Sequence, residues 1–308
     1  MVTTLADEDD GDDSLDDLSL REALAIAEQL GGASTIRFEE GLYAGAGATI
    51  LLGDANGNGA VVAADGESAT QLEISGEVTI EGPGVELLSI SGGGQTRVIK
   101  VEPNADATIK GLKITDGYVV AGNGGGVYSS GDLTLEGVAV TSSHAERLSG
   151  SGGSGGGISS NSGTLSLRNT TVSDNTANYQ GAGIRTNQTL VTIENSAVVG
   201  NAFTGGGGSG SRRGAGVMLN GGHGTIVNST IAQNTNALYG GGVTSNLGAD
   251  IDILNSTITE NQVTGDAAGV YNNQHAGDIT LHNTLAYGNI QGSTVGKHDV
   301  WGKVNLGS

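Results

Sequence analysis

The segment Asp54-Ala55-Asn56-Gly57-Asn58-Gly59 holds the most regularly spaced oxygen donors of this 308-residue chain. Donors at its first, third and fifth positions, glycine at the sixth, an aliphatic at the eighth (Val61) and a carboxylate at the twelfth (Asp65) follow the spacing of a calcium loop. Asp54, Asn56 and Asn58 would give side-chain oxygens, Ala60 a backbone carbonyl and Asp65 the closing carboxylate. The competing reading is a polar connection without an ion. No helical pattern flanks the loop, Asn twice stands where Asp would bring charge, and Asp closes it where a bidentate Glu is usual.

Other constellations are weaker. Gly222-His223-Gly224 matches a triplet of polygalacturonases, but glycoside hydrolysis needs paired carboxylates. The two coils before His223 hold neither Asn-x-Asp nor Asp-Asp, so a turn histidine is expected. Elimination on an acidic polysaccharide would need an Arg or Lys base beside clustered aspartates. Arg168, Asp174, Arg185, Arg212 and Arg213 fall at unlike places in the repeat and are expected to be solvated. Tyr128, Ser159, Arg185, Met218, Thr244 and Tyr271 each follow a Gly step and are expected to form an outward column, with Tyr179 and Tyr239 nearby. That is thin for a sugar groove, yet it keeps extracellular polysaccharide as a candidate partner. The histidines do not pair at zinc-ligand spacing, and the Gly-rich runs lack the strand-to-helix order of a phosphate cradle.

What must position such residues is a repeat. A Gly step, an apolar residue, an alternating strand and Asn-x-x-Val-x-x-Asn return from Gly126-Val127 to Gly269-Val270. The Asn pairs are Asn169/Asn175, Asn195/Asn201, Asn228/Asn234, Asn255/Asn261 and Asn283/Asn289, at successive spacings of 26, 33, 27 and 28 residues. The longer step carries the insert at 205–213, and a similar Gly/Ser insert spans 149–157. A coil of this length suits three short parallel strands and three turns, and one coil cannot bury its apolar face alone. Coils stacked at strand spacing rise roughly 4.8 Å each. The Asn pairs are expected to satisfy turn backbone, to hydrogen-bond from coil to coil and to tolerate left-handed φ.

Composition narrows the classes. Glycine numbers 56 and proline 2, which excludes collagen. A net charge of −20 argues against nucleic acid, whose phosphates need a basic face. There is no cysteine, hence no disulfide framework. No stretch is long and apolar enough for membrane insertion. The opening residues lack the apolar core of a signal peptide, which fits a segment of a longer polypeptide and equally export by a route that reads the C-terminus. Seven aspartates and one glutamate between Asp7 and Asp17 read as a solvated tail, with local calcium binding as the alternative. Residues 18–30 read as a helix capped by Asp17 or Ser19, with Glu22 at capping-box spacing from Ser19 and Gly31-Gly32 as its stop. Leu20, Leu24 and Ala27, with Ala23 and Leu30 beside them, would cover the open end of the stack.

The opening TTLADEDDG and LSLREALAIA, then STIRFEEGL, VTIEGPG and RVIKVEPNADATIKGLKITDG, resemble CSLREA-type secreted bacterial right-handed parallel β-helix surface proteins, within the pectate-lyase-like superfamily. Leu18 stands at the usual Cys position. LHNTLAYGN, HDVWG and NLGS resemble the terminal repeats of such proteins. The resemblance implies secretion or surface display and marks no enzymatic residues. The expectation is an all-β chain, a right-handed parallel β-helix solenoid with an N-terminal α-helical cap. Residues 1–34 form the acidic segment and cap, and 35–308 the β-helix. Its coils are irregular to about 106, regular over 107–290 and terminal over 291–308, where Trp301 and Leu306 end without an evident cap. The expected role is a non-catalytic, adhesin-like structural segment outside the cell, with a polysaccharide-active enzyme as the alternative.

Overall fold

Period-two alternation places every second side chain of a strand on one face, and a constant coil length brings that face back above itself. The computed structural model describes residues 1–9, 14, 16–45, 47–53, 71–205, 212–273, 277–292, 294–295 and 299–306. Four parallel sheets run along a β-solenoid. One stacks nine strands among the described residues: Ala48–Leu51, Leu88–Ser91, Lys113–Thr115, Ala139–Thr141, Thr171–Ser173, Ala197–Val199, Thr230–Ala232, Thr257–Thr259 and Leu285–Tyr287. Two neighbouring sheets run from Ser34–Arg37 and Leu72–Ile74 to Val304–Leu306 and Val300–Trp301. They fuse in two coils into the strands Ile184–Glu194 and Val217–Val227. A fourth, shorter stack includes Tyr118–Val120, His144–Leu148, Thr176–Ala177 and Ala202–Phe203, and resumes at Ala237–Tyr239. Pairing between coils is parallel, and the two antiparallel contacts are local hairpins at Arg147↔Gly152 and Ile290↔Val295.

Like stacks on like through the core. Ile36, Ile80, Ile109, Leu135, Leu167, Ile193, Ile226, Ile253 and Leu281 form one continuous column. Each fully buried aliphatic contributes about 1.5–3 kcal/mol relative to exposure. A second, smaller core of Ala177, Ala182, Phe203, Ala215, Ala237, Val263 and Ala268 fills the space between the fourth sheet and the Gly corners.

Between the two cores runs a ladder of asparagines. Asn175, Asn201, Asn234, Asn261 and Asn289 are wholly buried. Each donates Nδ2 to the Oδ1 of the next at 2.8–3.0 Å. Each also donates to a carbonyl of the preceding coil, as Asn234 does to Val198 at 3.0 Å. The ladder starts one coil after Ser143, which holds the equivalent place and whose N–H donates to Asn175 Oδ1. It ends on Asp299, whose Oδ1 accepts from both the backbone N–H and Nδ2 of Asn289. The Gly step leaves room for this amide. A Cβ on Gly216 would lie 2.9 Å from Asn234 Nδ2 and 2.6 Å from the Gly242 carbonyl oxygen.

Helix α1 spans Leu20–Leu30, with Ser19 as N-cap and the capping box to Glu22 in place. It packs against Ser34–Arg37 and Leu72–Ile74 at the first coils. Leu30, expected on its inner side, is instead exposed, because Gly31 ends the helix at the rim. The acidic segment also departs from a plain solvated tail. Asp7 is buried, forms a two-point ion pair with Arg21 at 2.8 and 2.9 Å, and accepts the Gly53 N–H at 2.9 Å. Such a pair removes the main penalty of burying the carboxylate.

Candidate functional site

The corner between the fourth sheet and the Gly step is built on a left-handed residue in five successive coils. Gly124, Gly155, Gly181, Gly214 and Gly240 all have φ between 56 and 69°. The residues just before them, Asn123, Ser154, Gln180, Arg213 and Tyr239, stack on one another by parallel bridges. This tight return changes the fate of the column that follows the Gly step. Tyr128, Ser159, Arg185, Met218, Thr244 and Tyr271 do stack in register. Ser159, Met218 and Thr244, however, are wholly buried rather than outward. The corner folds back over them: Gly214 leaves its Cβ site 2.6 Å from Met218 Cβ.

The longer side chains emerge at this corner as a flank of arginine and tyrosine. Arg147 lies over the Tyr179 ring at 3.8 Å, Arg97 over Tyr128 at 5.2 Å and Arg213 over Tyr239 at 5.9 Å. Tyr239 stacks on Tyr271 at 5.5 Å, and Tyr118 on His144 at 5.6 Å. Asn161 joins two members, donating to the Tyr128 hydroxyl at 2.9 Å and accepting from Arg185 Nη1 at 2.6 Å. The 149–157 insert opens from the same corner through the hairpin at Arg147–Leu148 and Ser151–Gly152. The 205–213 insert returns to it at Arg213, while 206–211 lies outside the described residues.

Charge is unevenly matched here. Among the described residues, Arg21, Arg37, Lys100, Lys110, Arg168 and Lys303 have a carboxylate within salt-bridge distance, whereas Arg147, Arg185, Arg212 and Arg213 have none. The Nε atoms of Arg185, Arg212 and Arg213 are buried without a protein acceptor. Burial pushes the Arg185 pKa down, against the neighbouring Tyr128 and Tyr179 hydroxyls. Burial also raises Tyr271, with Arg213 opposing, and lowers His144, with Glu146 opposing. Lys100 moves the other way, raised chiefly by its hydrogen bond to Glu102. A hollow of about 330 Å³ beside Arg97, Lys100, Glu102 and Tyr128 lies at one end of the flank.

The remaining sequence candidates do not gather there. Asp54, Asn56, Asn58, Ala60 and Asp65 lie outside the described residues. Among the described residues, no group of three or more His, Cys, Asp or Glu could hold a metal ion, and no helix is long and apolar enough to cross a membrane. His223 is a strand residue rather than a turn residue, half-buried and 3.7 Å from Asp252. Arg168 pairs with Glu194 at 3.9 Å on a different sheet, and Asp174 sits on an exposed left-handed turn. Those two are apart from the flank, as their repeat positions implied. Arg185 and Arg213 are not apart, because the Gly corner brings the residue before it beside the strand after it. The recurrence of Tyr or Arg one or two residues before the Gly step, at Tyr179, Arg213 and Tyr239, was the available signal.

Stacked parallel coils, a coil-to-coil amide ladder and a lateral face of long side chains define the molecule as a β-solenoid. The chain belongs to the family described as the right handed beta helix region, whose model matches residues 97–286. No curated protein and no solved structure matches it.

Proposed function

We propose that this chain is a non-catalytic, adhesin-like structural segment of a secreted or surface-displayed protein, a stiff rod that meets extracellular polysaccharide along its side. The observation that carries this reading is the run of inward amides from Asn175 to Asp299. It commits the recurring polar residues to holding coil upon coil. The CSLREA-type opening, LSLREALAIA after TTLADEDDG, supports the extracellular placement. Calcium is the candidate ion, at Asp54, Asn56, Asn58, Ala60 and Asp65, and a rod within a longer polypeptide is the expected context. The test is incubation with acidic and neutral polysaccharides, with and without calcium. Unchanged polymer length is expected, and sustained depolymerisation would sink the reading. Melting in chelator tests the ion separately, and an unshifted Tm removes the Asp54 loop as a calcium site.

A second reading, elimination on an acidic polysaccharide, is favoured by one observation. Burial depresses Arg185 beside Tyr128 and Asn161, the direction a general base needs. It predicts an unsaturated sugar product in the same incubation, lost in Arg185→Lys.

A further inference from the structure

Arginine enters the flank from three consecutive coils. Arg147 precedes the Gly step at Gly155–Gly157, Arg185 follows the step at Gly181–Gly183, and Arg212 and Arg213 precede the next, at Gly214–Gly216. Coils rise about 4.8 Å each, so these cations form a set staggered over roughly 10 Å of the axis. Tyrosine planes bracket it, Tyr179 under Arg147 on one side and the Tyr239–Tyr271 stack beyond Arg213 on the other. In a chain of net charge −20, four arginines without a carboxylate among the described residues are an imbalance. Segment 206–211 contains only Gly and Ser and supplies no anion.

A buried guanidinium Nε without an acceptor is costly. An anion with two oxygens can accept from the two Nη groups of one guanidinium in a bidentate arrangement that favours Arg over Lys. The acids at the flank, Glu146 and Asp266, are not within salt-bridge distance of these arginines: Glu146 accepts from the Tyr118 hydroxyl, and Asp266 accepts Gln291 Nε2 at 2.7 Å.

The geometry points to the flank formed by Arg147, Arg185, Arg212, Arg213, Tyr179 and Tyr239 as a binding site for a linear acidic polysaccharide lying along the rod axis. Its carboxylates or sulfates pair with the arginines, and its sugar rings lie against the tyrosine faces. This assignment rests on the reading of the rod as surface-displayed and adds the chemistry of its partner. A nucleic acid fits less well, because its dense charge meets the protein's own negative field. Sparser glycan charge is held locally, since screening beyond about 8 Å in physiological salt mutes the distant acids.

The experiment is binding of the whole chain to alginate, sulfated dextran, neutral dextran and single-stranded DNA, in EDTA so that calcium cannot bridge. Alginate or sulfated dextran should bind and neutral dextran should not, and whichever acidic glycan binds tighter names the anion source. Arg212→Ser with Arg213→Ser, both at the surface corner, should weaken binding at least about tenfold. Arg185→Lys, which keeps the charge and loses the fork, should weaken it about three- to tenfold. Lys110→Ser with Lys303→Ser removes two cations from another sheet and should change nothing. Circular dichroism and melting confirm that each variant is folded. No binding to either acidic glycan, an unaltered Kd in the Arg212/Arg213 variant, or equal binding of DNA overturns the assignment. A fall in alginate viscosity in the same mixture would instead overturn the non-catalytic reading and leave the site standing.

Discussion

Two columns of asparagine run up this rod six residues apart, and they do different work. Asn175, Asn201, Asn234, Asn261 and Asn289 are buried and hydrogen-bonded from coil to coil. Asn169, Asn195, Asn228, Asn255 and Asn283 are exposed, with φ between 44 and 50°. The described side-chain link along this outer column is Asn283 to Asn255, at 2.8 Å. The inner column satisfies backbone groups that water cannot reach, and the outer one holds a left-handed turn that few other residues tolerate. The same amide in the same repeat is therefore a structural strut in one place and a conformational device in the other. What separates them is burial, and burial sets how much each is worth.

The largest effect should come from cutting the inner column. Asn234→Ala removes the acceptor of the Asn201 N–H and Nδ2 and the donor to Val198 O and Asn261 Oδ1. With orphaned buried groups costing about 1–3 kcal/mol each, the loss should reach about 3–5 kcal/mol, read by chemical denaturation. A loss below about 1 kcal/mol would mean that the ladder is an ornament of packing.

Beside the outer column lies a hydroxyl ladder that the repeat pattern did not announce. Thr170, Ser196, Ser229 and Ser256 each accept a backbone N–H from the coil before, and each donates to the carbonyl two residues back. Ser229→Ala orphans the Ser196 N–H and should cost about 1–2 kcal/mol, between the two asparagine columns. A Ser229→Thr variant, keeping the hydroxyl, should recover most of it. If Ala and Thr behave alike, the hydroxyl is not what holds the Ser196 amide.

Much of this architecture was legible beforehand because it follows from periodicity. Period-two alternation and a near-constant coil length dictate parallel stacking and the aliphatic columns, and the Ser19/Glu22 spacing announces the capping box. Other features depend on partners distant in sequence. Asp7 reads as part of a solvated charge run until Arg21 and the Gly53 amide close around it. Ser159 and Met218 read as outward until the left-handed corner turns the chain over them. Arg185 and Arg213 occupy unlike repeat positions, and only the tightness of that corner makes them neighbours.

The ladder's end gives a smaller test. Asp299, half-buried at the last coil, replaces the next asparagine by offering a carboxylate oxygen to Asn289. Water reaches this site, so Asp299→Ala should cost about 1 kcal/mol. Asp299→Asn, which retains the accepting oxygen, should cost less. Equal losses would show that the carboxylate's charge, rather than its role as the final rung, matters there.

The smallest effect belongs to the outer column, and it discriminates by residue type rather than by size. At Asn228, φ is 49° and the side chain is exposed, so deleting the amide removes no buried partner. Asn228→Ala should cost about 1 kcal/mol, the strain of a left-handed Cβ, while Asn228→Gly should fall within about 0.5 kcal/mol of the parent, since glycine adopts that backbone freely but gains entropy when unfolded. At Asn234 the order changes: Ala and Gly should both be severely destabilising, because neither restores an acceptor for Asn201. Paired melts of the four variants therefore separate the columns. If Asn228→Gly were as damaging as Asn228→Ala, the outer amides would be bonded in solution and the two columns would be alike after all.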